Sequence, residues 1–216
     1  MPSQAVVDKL KQLFQSGTNV SYTHGEVIVS AYQTPKGVML LESGAVEQYD
    51  LNPAGDKVVV NIFKPPAFFP MAWAINQTDN EYYYAALTDV TMKRISATKA
   101  VNFLKANPDV MFDLLSRVYR GTDGVLRRLV LALGGSATNR LIFELLVEAY
   151  RFGIDIGGGK WRIKVTQGSL AARSGLARET VSREFSKLLA DKLIERVGRD
   201  AIIEVASLEL RLGINS

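Results

Sequence analysis

The chain has 216 residues, 47% apolar and 22% charged, with a net charge of +4. That balance excludes a disordered chain and allows one large domain or two small ones, each with a core. The absence of cysteine excludes disulfides, thiolate zinc sites and cysteine-held iron–sulfur clusters, and no apolar run approaches the roughly 20 residues that span a bilayer.

Met1 to Phe14 alternates charged and apolar residues like an amphipathic helix and lacks the apolar stretch of a signal peptide, so a cytoplasmic location is expected. From Val20 to about Ile95 short apolar runs are split by turn residues. Gly25-Glu26 leads into Val27-Ile28-Val29, Gly37 into Val38-Met39-Leu40-Leu41, and Gly44 precedes Ala45-Val46. Asn52-Pro53-Ala54-Gly55-Asp56 separates Tyr49-Asp50-Leu51 from Val58-Val59-Val60-Asn61-Ile62. Short strands at such spacing predict an antiparallel barrel or jelly roll.

At Pro108 the texture changes to one long helix running to about Leu133, stopped by Gly134-Gly135. Leu115, Tyr119, Thr122, Leu126, Leu129 and Leu133 recur at alternating steps of four and three, a heptad seam that predicts a dimer interface. Gly121 and Gly124 weaken the middle of this helix and mark a close backbone approach or a hinge.

From Ser136 the pattern reads as a helix over Asn139–Phe152, a flexible Gly157-Gly158-Gly159 turn, a strand over Trp161–Val165, two helices and a hairpin. The hairpin is Leu193–Val197 and Ala201–Val205 about Gly198-Arg199-Asp200. The charge excess sits here. Residues 1–107 carry nine basic and nine acidic side chains, 108–134 four and three, and 135–216 thirteen and ten. A bias of that size is compatible with nucleic acid and equally with a mixed solvated surface.

Thr166 to Leu189 carries the specific signal. A helix-turn-helix needs a small residue where its helices cross, and Ala171 is placed there. It needs a residue that tolerates positive φ in the turn, and Gly175 follows four later. It needs a branched apolar residue on the second helix, and Val181 follows six after that. Leu170, Leu176, Phe185 and Leu188 complete the expected core. Arg178, Glu179 and Arg183 then lie on the exposed face of the second helix, with Glu179 and Arg183 neighbours at i, i+4. Arginine forks match the O6/N7 edge of guanine, and glutamate accepts from the cytosine amine. Thr166, Gln167, Thr180 and Ser182 are candidates for phosphate contacts. Ala177 occupies the N-cap, where Ser or Thr would add roughly 1 kcal/mol.

Arg178-Glu179-Thr180-Val181-Ser182-Arg183 resembles the recognition-helix signature of the CRP/FNR family of transcription regulators, and the likeness extends over nearly the whole chain. The resemblance implies an α+β fold with three parts. These are a cyclic-nucleotide-binding-type β-roll (jelly roll) over residues 1–107, a dimerisation helix over 108–134 and a winged helix-turn-helix over 135–216. It also implies a homodimer that reads a palindrome of TGTGA-like half-sites in double-stranded DNA through Arg178, Glu179 and Arg183, with RNA polymerase as a partner if it activates.

The sensor domain departs from the cyclic-AMP pattern of the family. Pro70, in Phe68-Phe69-Pro70-Met71, stands where a ribose-binding glutamate would be, and Asn80-Glu81 where Arg-Ser would hold the phosphate. Val125 and Leu126 replace the polar pair that would meet adenine. An acid beside a phosphate repels it, so no cyclic-AMP binding is expected at the usual place. Phe68, Phe69, Met71, Trp73, Tyr82, Tyr83 and Tyr84 either fill the roll or line an apolar pocket; Met71, Asn80, Glu81 and Val125 are the candidate pocket residues. The cofactor is left open. His24 is the lone histidine, in a strand-start turn that does not favour haem ligation. A competing reading is a ligand-binding or scaffold module whose helix-turn-helix contacts protein. An enzyme has no support: there is no metal-ligand cluster, no nucleophile elbow and no nucleotide-binding glycine loop.

Overall fold

The apolar run Val38-Met39-Leu40-Leu41 is unbroken because its strand is buried on both faces. The computed structural model describes residues 3–213 and separates into two units that divide between Thr122 and Asp123. Met1 and Pro2 of the expected N-terminal helix lie outside the described residues.

In the first unit α1 (Gln4–Phe14) leads to β1 (Thr18–Tyr22), β2 (Val27–Val29), β3 (Val38–Ser43), β4 (Val46–Leu51), β5 (Lys57–Phe63) and β6 (Ala67–Phe69). Then come α2 (Met71–Asn76), β7 (Tyr83–Ala86), β8 (Val90–Ile95), α3 (Ala97–Ala106) and α4 (Pro108–Gly134), whose part from Asp123 on belongs to the second unit. The strands form two antiparallel sheets, ordered β1-β8-β3-β6 and β2-β7-β4-β5, which make the expected roll. Met39 and Leu41 of β3 enter its interior with Val46, Phe69, Tyr84 and Met92. Val38 and Leu40 point the other way, into a second core with Leu10 and Phe14 of α1, Leu104 of α3 and Val110 of α4. The same alternation sends Phe69 inward and Phe68 to the helical layer.

Rings fill the roll. Phe69 stacks on Phe63 and on Tyr84, each at 5.2 Å between centroids, and Phe63 meets Tyr84 at 6.0 Å. Burial pushes the Tyr84 phenol up to about 12. Gly44 lets the chain turn into β4. Its φ is +82°, and a Cβ there would lie 2.2 Å from the Asp89 carbonyl oxygen.

Two helices of this unit escaped the sequence reading. Six-residue α2 is too short to display a helical period, and α3, capped by Ser96, lies before the change of texture at Pro108. The long helix α4 starts and stops where expected, and it runs through Gly121 and Gly124. Its first turn carries Asp109, paired with Lys9 at 2.8 Å. Further along, Arg117 donates to Asp113 and, at 2.6 Å, to the Pro66 carbonyl, tying α4 to the loop before β6.

The second unit continues with α5 (Ala137–Phe152), β9 (Ile154–Asp155), β10 (Lys160–Lys164), α6 (Gln167–Ser174), α7 (Arg178–Ala190), β11 (Ile194–Val197), β12 (Asp200–Glu204) and α8 (Val205–Leu212). The sheet order is β11-β12-β10-β9. Leu141, Leu145 and Ala149 of α5 form the centre of its core with Leu170, Val181, Leu188, Ile203 and Leu208. Helix α8 was not expected. Val205 opens it instead of closing the hairpin, because Val205 and Leu208 turn onto α5.

Phe69→Ala should cost about 3–5 kcal/mol, because it opens a cavity between two stacked rings in a site 1% exposed. Urea unfolding of parent and variant checks this; a loss under about 1 kcal/mol would mean the roll closes over the gap.

Candidate nucleic-acid interface

Helices α6 and α7 meet as the spacing of Ala171, Gly175 and Val181 requires. Thr166 caps α6: its hydroxyl accepts from Ser169 N at 3.0 Å, and Ser169 Oγ accepts from Thr166 N at 3.1 Å. Gly175 ends the helix at φ +63° with its N–H on Ala171 O, and a Cβ there would approach Arg140 Nη2 to 3.0 Å. That arginine donates to the Ser174 carbonyl, so α5 holds the turn from behind. Val181, Leu170 and Leu188 are buried, and Ala171 and Leu176 pack against them. Helix α7 begins at Arg178 with Ala177 at its cap and no side-chain bond there.

Arg178, Glu179 and Arg183 all lie exposed on α7. The Arg178 guanidinium lies over Gly168. Arg183 does not bond its i, i+4 neighbour Glu179. Its Nε donates to Glu184 Oε1 at 3.2 Å. Thr166 and Gln167 are exposed, Thr180 and Ser182 half-buried. Gln167 Nε2 donates to Ser182 Oγ at 3.2 Å, which links the two helices at their solvent edge. A cleft of about 280 Å³ lies beside Thr166 and Gln167, with Arg196 and Arg199 of the β11–β12 hairpin across from them. These two arginines were not singled out from the sequence, although the hairpin was.

Sequence reasoning also missed the buried charges. Glu144 is 1% exposed and receives Arg128 from α4 at 2.6 and 3.0 Å. Arg173 of α6 donates to Glu148 at 2.5 Å and lies 3.9 Å from Glu144. Glu184 accepts from Thr138, Lys187 and Arg183. The Thr138 hydroxyl, followed by Lys187 and Arg183, holds its carboxyl down at about 2. The available signal was periodicity: Glu184 falls three residues after Val181 and four before Leu188, on the core side of α7.

The predicted seam lies open on α4. Leu115 and Tyr119 in the first unit, and Leu126, Leu129 and Leu133 in the second, are between 47% and 81% exposed, with Thr122 exposed between them. Phe112, Val118, Val125 and Val130 widen the apolar face.

Two of the candidate ligand residues, Met71 and Asn80, are engaged elsewhere. Met71 is buried in the core between the roll and its helices. Asn80 is buried and donates its amide to the carbonyls of Ser30 and Tyr82, at 2.9 and 2.7 Å, where it serves as a clasp between two loops. Glu81 is exposed, and Val125 belongs to the other unit. His24 bonds the Leu87 carbonyl through Nδ1.

Comparison with known proteins accounts for this arrangement. A cyclic nucleotide-binding domain model matches residues 19–107 and a Crp-like helix-turn-helix domain model matches residues 139–210. The chain belongs to the CRP/FNR family of transcriptional regulators. A Lacticaseibacillus casei protein named probable transcriptional regulator flp is 25% identical over 181 residues, 83% of this chain and 80% of its own. Among solved structures, a CooA mutant from Carboxydothermus hydrogenoformans has a TM-score of 0.79 at 16% identity, covering 100% of this regulator and 98% of its own chain. A CRP/FNR-family regulator from Thermus thermophilus has a TM-score of 0.73 at 20% identity, covering 91% and 98%. At these identities the structures show the shared fold.

The sign of the Glu184 effect on stability follows from its lowered pKa. Its ordinary value is 4.5 and its folded value about 2, so it stabilises the regulator fully above pH 4.5, and that contribution is lost as pH falls to 2. Glu184→Gln should lower stability at neutral pH and flatten the acid-induced loss between pH 4.5 and 2. Denaturant unfolding across that range checks it; parallel pH profiles for parent and variant would contradict it.

Proposed function

We propose that the regulator binds DNA as a homodimer and reads a palindrome of TGTGA-like half-sites, and that cyclic AMP is not its effector. The observation that carries this reading is the exposed trio Arg178, Glu179 and Arg183 on the second helix of a fully packed helix-turn-helix. The two arginines take guanine edges and Glu179 takes a cytosine amine. Thr166, Gln167, Thr180 and Ser182, with Arg196 and Arg199 across the cleft, take phosphates and set the depth of α7 in the major groove.

Dimerisation follows from the open face of α4. A heptad of apolar residues exposed along a 27-residue helix is the surface that a second copy covers, and the two-fold axis it creates matches a palindrome. The effector reading follows from the roll. Pro70 offers no acceptor for ribose hydroxyls, the Glu81 carboxylate would repel a cyclic phosphate, Asn80 has its amide committed, and the interior is stacked with Phe63, Phe69 and Tyr84. Promoter action through RNA polymerase, in the cytoplasm, is the accompanying expectation.

Selection from random duplexes with the full chain and no added nucleotide should enrich a TGTGA-like palindrome. Arg178→Ala or Arg183→Ala should then cost about 1–3 kcal/mol on the selected site and relax preference at one base pair each. Unchanged affinity in both variants would remove α7 as the reading helix. Leu126→Lys should leave a monomer, since a dimer would bury an unpaired charge. Light scattering at twice the chain mass would refute this seam.

A further inference from the structure

Glu184 follows Arg183 in the chain, yet the two side chains have opposite surroundings: Arg183 is 61% exposed and Glu184 4%. A carboxylate on the core side of α7, between buried Val181 and Leu188, requires partners. Its Oε2 accepts from Thr138 Oγ1 at 2.7 Å and from Lys187 Nζ at 3.2 Å. Its Oε1 accepts from Lys187 Nζ at 3.0 Å and from Arg183 Nε at 3.2 Å. Thr138 stands in the first turn of α5, so the carboxylate is fixed from outside its own helix. The contact with Arg183 uses Nε. The Nη1 and Nη2 pair, the fork that matches the O6/N7 edge of guanine, is left free of this bond.

We infer that Glu184 is a positioning residue for base recognition: anchored by Thr138, it holds Arg183 through Nε so that the terminal fork is aimed at one base pair. This rests on the reading of Arg183 as a base-contacting residue. An exposed arginine on its own samples many rotamers, and ordering it opposes binding. A buried anion beside its root removes much of that freedom in advance. Lys187 shares the same carboxylate, donating to Oε1 at 3.0 Å and to Oε2 at 3.2 Å, and balances its charge.

The experiment titrates full-length parent, Arg183→Ala, Glu184→Gln, Thr138→Val and the Arg183→Ala/Glu184→Gln double variant. Each is measured against the selected duplex, its single-base variants and random duplex. Arg183→Ala should lose roughly 5- to 100-fold of preference at one base pair. Glu184→Gln keeps the shape and an acceptor for Thr138 but not the charge that holds Arg183. It should lose about 3- to 10-fold of preference at that same pair, with random-duplex affinity within about 2-fold of the parent. The double variant should be no less selective there than Arg183→Ala alone. Thr138→Val frees the carboxylate while keeping its charge, should act in the same direction, and carries the test if Glu184→Gln does not fold. Parent-like preference in both Glu184→Gln and Thr138→Val overturns the inference. So does a uniform loss at every base pair and on random duplex, which is what a merely structural role produces. If Arg183→Ala relaxes no base pair, the reading of Arg183 fails and the inference falls with it, an outcome recognised from that variant alone.

Discussion

A carboxylate taken out of water must be met by a cation or by several hydrogen bonds, and in the C-terminal unit this requirement falls on three glutamates. Glu144 and Glu148 of α5 and Glu184 of α7 are all buried. Their partners come from three helices: Arg128 from α4, Arg173 from α6, and Thr138 from α5 itself to reach α7. Hydrophobic packing would tolerate small rotations of α6 and α7 about α5. The ion pairs do not, since a slip of one turn would leave a charge unmatched in the interior. Pairs of this kind add little net stability, and here they link α4, α6 and α7 to α5.

In the same unit α7 is packed on one side and open to solvent on the other. Leu170, Val181 and Leu188 hold α6 and α7 against α5, Arg140 grips the Ser174 carbonyl behind the turn, and Gly175 provides the backbone conformation that lets the second helix leave at an angle. The polar groups at the solvent edge bond among themselves. Gln167 bonds Ser182, Thr166 bonds Ser169, and Arg183 bonds Glu184. Contacts with phosphate or base would therefore exchange existing hydrogen bonds for new ones, which favours selectivity over raw affinity.

The N-terminal unit solves a different problem. Its roll has the fold of nucleotide-binding domains, but its interior is occupied by its own rings, and Asn80 is used to join two loops. Burial on both faces of β3 places a helical layer outside the sheet; Lys9–Asp109 ties the start of α4 to that layer, and Arg117–Pro66 ties it to the loop before β6. Within this unit, then, the first turns of α4 are in direct contact with the helical layer and with a loop of the roll.

Much of this was legible in the sequence where the determinant is local. Turn glycines such as Gly44 and Gly175 are required by backbone conformation, the start of α4 by Pro108, and the helix-turn-helix by the spacing of Ala171, Gly175 and Val181; each acts within a few residues. Local pattern failed for α2, which is too short to show a period, and for α8, whose first residues continue the alternation of the hairpin until Leu208 meets α5. It placed Glu179 and Arg183 on one face by i, i+4 spacing but gave no sign of the bond from Arg183 to Glu184. The sequence determined by itself which residues face solvent on α7, because helical periodicity sorts them. Only the tertiary structure decided what holds them, because the bond that makes Glu184 a fixed anion comes from Thr138, 46 residues away, and no periodicity within one helix encodes a partner on another.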